Sequence, residues 1–295
     1  MEITAPAKIN LYLNILAKRD DGYHEIDTLF EKISIQDTLI VEIASEITAI
    51  TCDNPDVPTD ADSLLVRVID LFNEKTKGKY RFTVKLGKKI PISAGMGGGS
   101  SDAAALLKAI NELTGSPLDM ESLLEIASEL GADIPFFIHK ASFAHGKRRG
   151  DVIQEMPTEI ELHHIVVHPP FKVSTKSVYG RVTRFGLTKN SGVDRMFSTF
   201  LRRKDVDSIA ENLHNDLQGI TLEEFPVLVD VFSELKKAGA KGVLMAGSGP
   251  TVFGLFDKKD TIQAKKELEL VFPKEENWEI FIADTYREIG DKSIS

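Results

Sequence analysis

Pro91-Ile92-Ser93-Ala94-Gly95-Met96-Gly97-Gly98-Gly99-Ser100-Ser101-Asp102 runs without a break into Ala103-Ala104-Ala105 and an apolar stretch ending at Leu113. Four of the five residues from Gly95 to Gly99 are glycine. Lacking Cβ atoms, such a run can turn several backbone N–H groups onto one concave surface. The helix expected behind it carries Ala104, Leu107, Ile110 and Leu113 at helical spacing. It adds unpaired N–H groups and the positive end of its dipole. The stretch reads as an anion site suited to nucleotide phosphates. It is not a Walker A loop, because no lysine follows the last glycine, nor a dinucleotide fingerprint, because the third slot after Gly95-x-Gly97 is Ser100. Ser100 and Ser101 suit donation to phosphate or ligation of a metal. Ser101 or Asp102 equally suits the helix cap.

Upstream of the loop, Tyr80 to Leu86 alternates as a strand, and Ser63 to Lys75 shows the apolar stripe of a helix. Nearer the N-terminus, Ile9, Leu11, Leu13 and Ile15 alternate with Lys8, Asn10, Tyr12 and Asn14, a strand with one apolar face. Lys8 and Asn10 are expected to share the other face, away from the core. Asp21-Gly22 marks a turn that places Tyr23 and His24 just after the bend. Strand-like runs follow at Ile26 to Ile33 and at Thr38 to Thr51.

Downstream, Asp119 is the expected cap of a helix over Met120 to Leu130, ended by Gly131. Asp133 is expected in a short loop before an apolar strand. The basic cluster Lys147-Arg148-Arg149 sits between Gly146 and Gly150. The pattern restarts near Met156-Pro157, which divides the chain into domains 1–157 and 158–295. In the second, a short strand ends at His168 and a loop spans Phe171 to Tyr179. Helices are expected at Ser191 to Leu201, Val206 to Asn212, Phe225 to Ala238 and Asp260 to Phe272. Gly242 to Phe256 reads as strand, glycine turn and strand, and Trp278 to Asp284 as a last strand. The first half mixes strands and helices without βα alternation, so the fold class is α+β, and the second half suits a small α/β sandwich.

Composition narrows the function classes. The 295 residues carry a formal charge of −9, which argues against general nucleic-acid binding. One cysteine, Cys52, excludes an intrachain disulfide and a cysteine metal cluster. No apolar run approaches the length of about 18 residues that spans a membrane, and the N-terminus lacks a signal pattern. A cytoplasmic protein is expected.

The glycine stretch resembles the phosphate-binding motif of the GHMP small-molecule kinases, which act on galactose, homoserine, mevalonate and phosphomevalonate. Ala5-Pro6-Ala7-Lys8-Ile9-Asn10-Leu11 is similar to the first motif of that family, and Ala246-Gly247-Ser248-Gly249-Pro250-Thr251-Val252-Phe253 to the third. Gly22-Tyr23-His24 and Leu130-Gly131-Ala132-Asp133-Ile134-Pro135-Phe136-Phe137 complete the set. In this order it resembles the branch whose acceptor alcohol carries a cytidine diphosphate. The resemblance implies a two-domain fold, an N-terminal ribosomal protein S5 domain 2-like unit and a C-terminal ferredoxin-like sandwich. It implies transfer of the ATP γ-phosphoryl group with Mg²⁺, Asp133 and Lys8 being catalytic and Pro91 to Ser101 holding the nucleotide. It further implies that Tyr23, His24, Thr175 and Tyr179 bind the cytidylyl acceptor, that Asn10 contacts it, and that Ser63 and Leu64 line the adenine pocket. The expected partner is a small molecule, with neither nucleic acid nor membrane, and a monomer or weak homodimer is expected. Arg148 stands where the family commonly has glycine. Two alternatives remain: another kinase of the family, acting on mevalonate, homoserine or a sugar, and a catalytically silent nucleotide-binding protein. Against the second, Lys8 and Asp133 are both present.

Overall fold

The computed structural model describes residues 1–182, Met196 and 205–288. Two sheets organise them. The first has seven strands, with β1 (Glu2–Lys18) and β2 (His24–Ile43) paired antiparallel along their length at its centre. The runs read separately at Ile26 to Ile33 and after Thr38 are one strand of 20 residues. One half of β2 pairs with β4 (Phe82–Gly87), and the other with β5 (Phe143–Arg148). β3 (Ala49–Cys52) extends one edge, beside β4, and β6 (Val152–Glu155) pairs with β5. The second sheet has four strands: β7 (His163–His168), β9 (Gly242–Met245), β10 (Val252–Phe256) and β11 (Glu279–Asp284). β8 (His214–Asn215) lies late in the chain yet pairs parallel with β1, stitching the first sheet to the second half.

Helices α1 (Leu64–Thr76), α2 (Gly98–Leu113), α3 (Met120–Leu130) and α4 (Ile134–Ile138) cover one face of the first sheet. Their shared core includes Phe30, Val41, Phe72, Phe82, Leu106 and Phe136. α2 is buried on nearly every side, which explains its run of three alanines: small side chains let β1, β2, α1 and α4 all approach it. The opposite face of the first sheet packs Ile9, Leu11, Leu29 and Ile33 against Val166, Leu244 and Phe253 of the second. The central strands are thus covered on both faces. α8 (Val227–Lys237) and α9 (Thr261–Val271) pack on the far side of the second sheet, around Val167, Leu235, Phe256 and Leu268.

Several expectations change here. Lys8 and Asn10 do share one face of β1, but α2 and α4 cover that face, and both residues are buried. A two-residue period reveals two faces; it does not say that the polar one is wet. Ile134–Ile138 is a helix, α4, not a strand. Its apolar run is too short for periodicity to separate the two states, and Pro135 fits a first helical turn. α2 starts at Gly98 with Gly97 as its cap residue, so Ser101 and Asp102 lie inside the helix and neither caps it. Within the expected loop Phe171 to Tyr179, α5 (Thr175–Gly180) begins after Ser174, whose hydroxyl accepts from the Ser177 amide. Helix α6 (Val206–Glu211) falls where expected, α7 (Gln218–Glu224) is additional, and the helix expected at 191–201 lies, apart from Met196, outside the described residues. Among the described residues, no helix is long and apolar enough to cross a membrane.

Candidate active site

The glycine stretch closes one end of a cavity of about 1100 Å³. Its shape comes from backbone that only glycine tolerates. Gly95 and Gly97 have φ of 76° and 68°, a region costly for residues with a Cβ. A Cβ on Gly95 would lie 2.1 Å from the Ala246 carbonyl oxygen, so the loop and the turn at Gly247–Gly249 can touch only without side chains. The Lys8 amide donates to the Met96 carbonyl at 2.9 Å, tying the loop to β1. Because α2 begins at Gly98, the amides of Gly98, Gly99 and Ser100 have no helical acceptor at the positive end of the dipole.

A buried ionic cluster fixes the base of the loop. Lys88 is paired with Asp37 and, at 2.8 Å, with Asp102. Asp37 Oδ1 also accepts from the amides of Lys89 and Ile90, at 2.5 and 2.9 Å. Burial alone would lower the Lys88 ammonium, but Asp102 and Asp37 outweigh it and hold it above the usual lysine range. Burial pushes the Asp102 carboxyl up, Lys88 opposing and Asp37 reinforcing. The cluster has no local signature in the sequence, because its members lie 51 and 14 positions apart, on β2, on α2 and in the loop after β4.

Lys8 and Asp133 meet beside this loop, with Nζ to Oδ2 at 3.6 Å. Lys8 is 4% exposed; its ammonium donates to Asn10 Oδ1 at 2.8 Å and lies over the Phe30 ring, 5.5 Å from the centroid. The chain of contacts continues inward. Asn10 Nδ2 donates to Thr28 Oγ1 at 2.8 Å, and Thr28 donates to the Tyr12 carbonyl at 2.6 Å. Asn10 therefore both lines the cavity and holds Lys8 in place. Asp133 precedes the first residue of α4 without capping it, so its carboxylate stays partly open to the cavity. On the other side, a Cβ at Gly97 would press within 3.1 Å of both Lys8 and Phe137. Loop, lysine and α4 are thus mutually fitted.

The far end of the cavity is built from side chains. Tyr23, His24, Thr175 and Tyr179 all line it. The His24 ring packs against Tyr179, centroids 5.3 Å apart, and burial, helped by Lys18, keeps its imidazole below the usual histidine range. Burial, with Asp133 nearby, raises the Tyr179 phenol. Thr175 Oγ1 is 2.9 Å from Ser248 Oγ, joining α5 to the second glycine turn. Asn215 Nδ2 steadies that turn through the carbonyls of Met245 and Gly247, at 2.8 and 2.7 Å. Ser63 caps α1 through the Leu65 amide and, with Leu64, lines the cavity near the loop. Arg149, which the sequence offered only as part of a basic cluster, also lines it.

Of the residues expected at the site, the structure brings all but one to this cavity. Pro91 to Ser100 line it. Ser101 does not: its amide donates to the Gly97 carbonyl and its hydroxyl is buried toward Lys32 and Lys108. In a helix starting at Gly98, one further residue turns the side chain about 100° away from the cavity. Arg148 adopts φ of 61°, the conformation that makes glycine common at such a position.

The comparisons with known proteins identify the family. The model of the GHMP kinases N terminal domain matches residues 63–141, and that of the GHMP kinases C terminal domain matches residues 197–274. A curated 4-diphosphocytidyl-2-C-methyl-D-erythritol kinase of Thermoanaerobacter pseudethanolicus is 36% identical over 273 residues, 92% of this chain and 93% of its own. Its counterpart from Syntrophus aciditrophicus is also 36% identical, over 95% of this chain and 98% of its own. A crystal structure of a 4-(cytidine 5'-diphospho)-2C-methyl-D-erythritol kinase superposes with a TM-score of 0.79 at 30% identity, covering 96% of this chain and 98% of the other. A homoserine kinase from Cytophaga hutchinsonii, 20% identical over 97% of this chain and 94% of its own, shares the fold with a TM-score of 0.72. With the loop, the Lys8–Asp133 pair and the two domain matches in one chain, the protein belongs to the GHMP kinases and, within them, to the 4-diphosphocytidyl-2-C-methyl-D-erythritol kinase family.

Proposed function

We propose that the protein transfers the γ-phosphoryl group of ATP to the 2-hydroxyl of 4-diphosphocytidyl-2-C-methyl-D-erythritol, a step of the non-mevalonate route to isoprenoid precursors. The observation that carries this is the position of Lys8 and Asp133. They sit between a backbone-lined phosphate site and an aromatic pocket, in a chain 36% identical to curated kinases of that name. A base-binding pocket has no use in a kinase for mevalonate, homoserine or a simple sugar. We take 1–157 as the nucleotide-binding domain and 158–295 as the second domain, with both glycine turns lining the cavity.

Phosphoryl transfer asks the protein mainly for positioning and charge stabilisation. The loop amides and the start of α2 would hold the ATP phosphates. The acceptor hydroxyl would lie against Asp133, which takes its proton as the oxygen attacks phosphorus and the bond to the ADP oxygen breaks. The Lys8 ammonium, 3.6 Å from Asp133, would offset negative charge on the moving group. Asn10, holding Lys8 Nζ, fixes that ammonium without taking its charge. The oxygen donors at this end also suit magnesium, which takes much of its shell from phosphates and water. Ser100 and Asp133 are partly open to the cavity, whereas Asp102 is engaged with Lys88. Magnesium bound there would neutralise phosphate charge.

A coupled ADP-release assay with the cytidylyl alcohol, mevalonate, homoserine and galactose tests the assignment. Turnover of the first alone is expected. Turnover of mevalonate without the cytidylyl substrate would overturn it.

A further inference from the structure

The Lys147-Arg148-Arg149 cluster runs from the end of β5 into the turn before β6, and its third member behaves unlike a solvated charge. The Arg149 guanidinium sits over the Tyr23 ring, 5.0 Å from its centroid. It is held there from behind: Nε and Nη2 donate to Asp151 Oδ2 at 2.9 and 2.6 Å, and Nη2 also to the Ser128 carbonyl at 3.2 Å. The sheet register explains the meeting. β5 pairs with β2 so that Ile26 lies opposite Arg148, which sets the residue after it beside the start of β2. Gly150, at φ of 96°, then turns the chain so that Asp151 comes back to the guanidinium.

Tyr23 needs such a support. It is 53% exposed, and its backbone is held by the Asp21 carboxylate and the Arg19 amide. These bonds fix the main chain of the turn and leave the ring's tilt open. Tyr179, by contrast, leans on His24. A flexible ring loses orientational freedom when a base stacks on it; a ring already braced on one face loses less. The geometry points to Arg149 as a positioning residue for the cytidylyl substrate: stacked on one face of Tyr23 and anchored by Asp151, it presents the other face to the pyrimidine. The inference rests on the proposed substrate.

The test is a double-mutant cycle on the whole enzyme, with Arg149→Met, Arg149→Lys, Tyr23→Leu and the Arg149→Met/Tyr23→Leu pair. Arg149→Met should raise the KM for the cytidylyl substrate about three- to tenfold, the size of an exposed or half-buried cation–π contact. kcat and the KM for ATP should stay near wild type. Arg149→Lys, which keeps a cation over the ring, should recover part of the loss. In the Tyr23→Leu background, Arg149→Met should add nothing. An unchanged KM in Arg149→Met overturns the inference, as does an equal rise in the KM for ATP. So do fully additive effects, which would mean that the guanidinium acts on the substrate without Tyr23. A wild-type enzyme that ignores the cytidylyl substrate overturns the proposed function and this inference with it. Normal wild-type turnover with no change in Arg149→Met overturns the inference alone.

Discussion

The two ends of the cavity are made of different material. The phosphate end is backbone: consecutive glycines, the open amides of α2, and a buried Lys88–Asp37–Asp102 cluster beneath them. The base end is side chains drawn from the turn before β2, the β5–β6 turn and α5, with Tyr23 half in solvent. The first kind of site is integral to the fold, because the same amides and ion pairs hold α2 and the loop in place. The second is laid on the fold and can change without unfolding it. A perturbation at the phosphate end should therefore appear in chemistry or stability, and one at the base end in substrate affinity alone.

The sharpest test lies at the junction. Asp133→Asn keeps the shape of the side chain but removes its charge and its capacity to accept a proton. kcat should fall by about 10²- to 10⁴-fold, the range for a positioned general base, while ATP affinity measured by calorimetry stays within a few-fold. Near-wild-type turnover would remove Asp133 from the chemistry. Next in size is Lys88→Met, which strands two buried carboxylates. Breaking such a cluster from one side costs about 3–5 kcal/mol. It should appear as a large fall in the denaturation midpoint and weaker ATP binding. An unchanged midpoint would mean that the cluster does not support the loop.

Tyr23→Ala is the matching test at the base end. Base–aromatic stacking contributes about 1–3 kcal/mol, so the KM for the cytidylyl substrate should rise about ten- to hundredfold. The KM for ATP and the denaturation midpoint should be unaffected. Equal effects on both substrates, or a loss of stability like that of Lys88→Met, would erase the distinction between the two ends.

The same distinction governs what the sequence could reveal. The loop was legible because its function is carried by contiguous glycines, and glycine at φ near 70° is a local requirement. Lys8 and Asp133 became legible through motif resemblance, since neither the strand position of one nor the loop position of the other marks chemistry by itself. The alternation of β1 correctly put Lys8 and Asn10 on one face, but burial of that face depends on α2 and α4 arriving from elsewhere in the chain. Lys88, Asp37 and Asp102 carry no local signal, because their meaning exists only where β2, α2 and the loop after β4 converge. Arg149 was visible as a charge and silent as a partner of Tyr23, for the same reason. β8 shows the limit most plainly: two residues, His214 and Asn215, gain strand geometry only by pairing with β1 and steadying the turn at Gly247.

A smaller effect probes the support beneath the second glycine turn, where Gly247 abuts the carbonyl oxygen of Gly95. His168 on β7 is buried and shares a 2.9 Å hydrogen bond between Nδ1 and Thr251 Oγ1, and the Thr251 carbonyl accepts from the Ala246 amide at 2.9 Å to close the turn. Burial brings the imidazole down to about 4, from an ordinary value of 6.5. The unfolded chain takes up a proton as the pH falls through about 6.5, whereas the folded protein stays neutral there until about 4. Protons thus favour the unfolded state across that window, and stability should fall with pH between those values, at up to about 1.4 kcal/mol per unit from this one group. Above the unfolded value the group contributes no slope. His168→Gln keeps a hydrogen-bonding side chain beside Thr251 and cannot titrate. Its denaturation midpoint, measured at pH 7.5 and pH 5, should drop less than the wild-type midpoint does. The same drop in both would show that the acid sensitivity lies elsewhere. A flatter profile in the variant, with the KM for the cytidylyl substrate unchanged at pH 7.5, would place acid sensitivity in the scaffold behind the phosphate end and none of it in the pocket for the base.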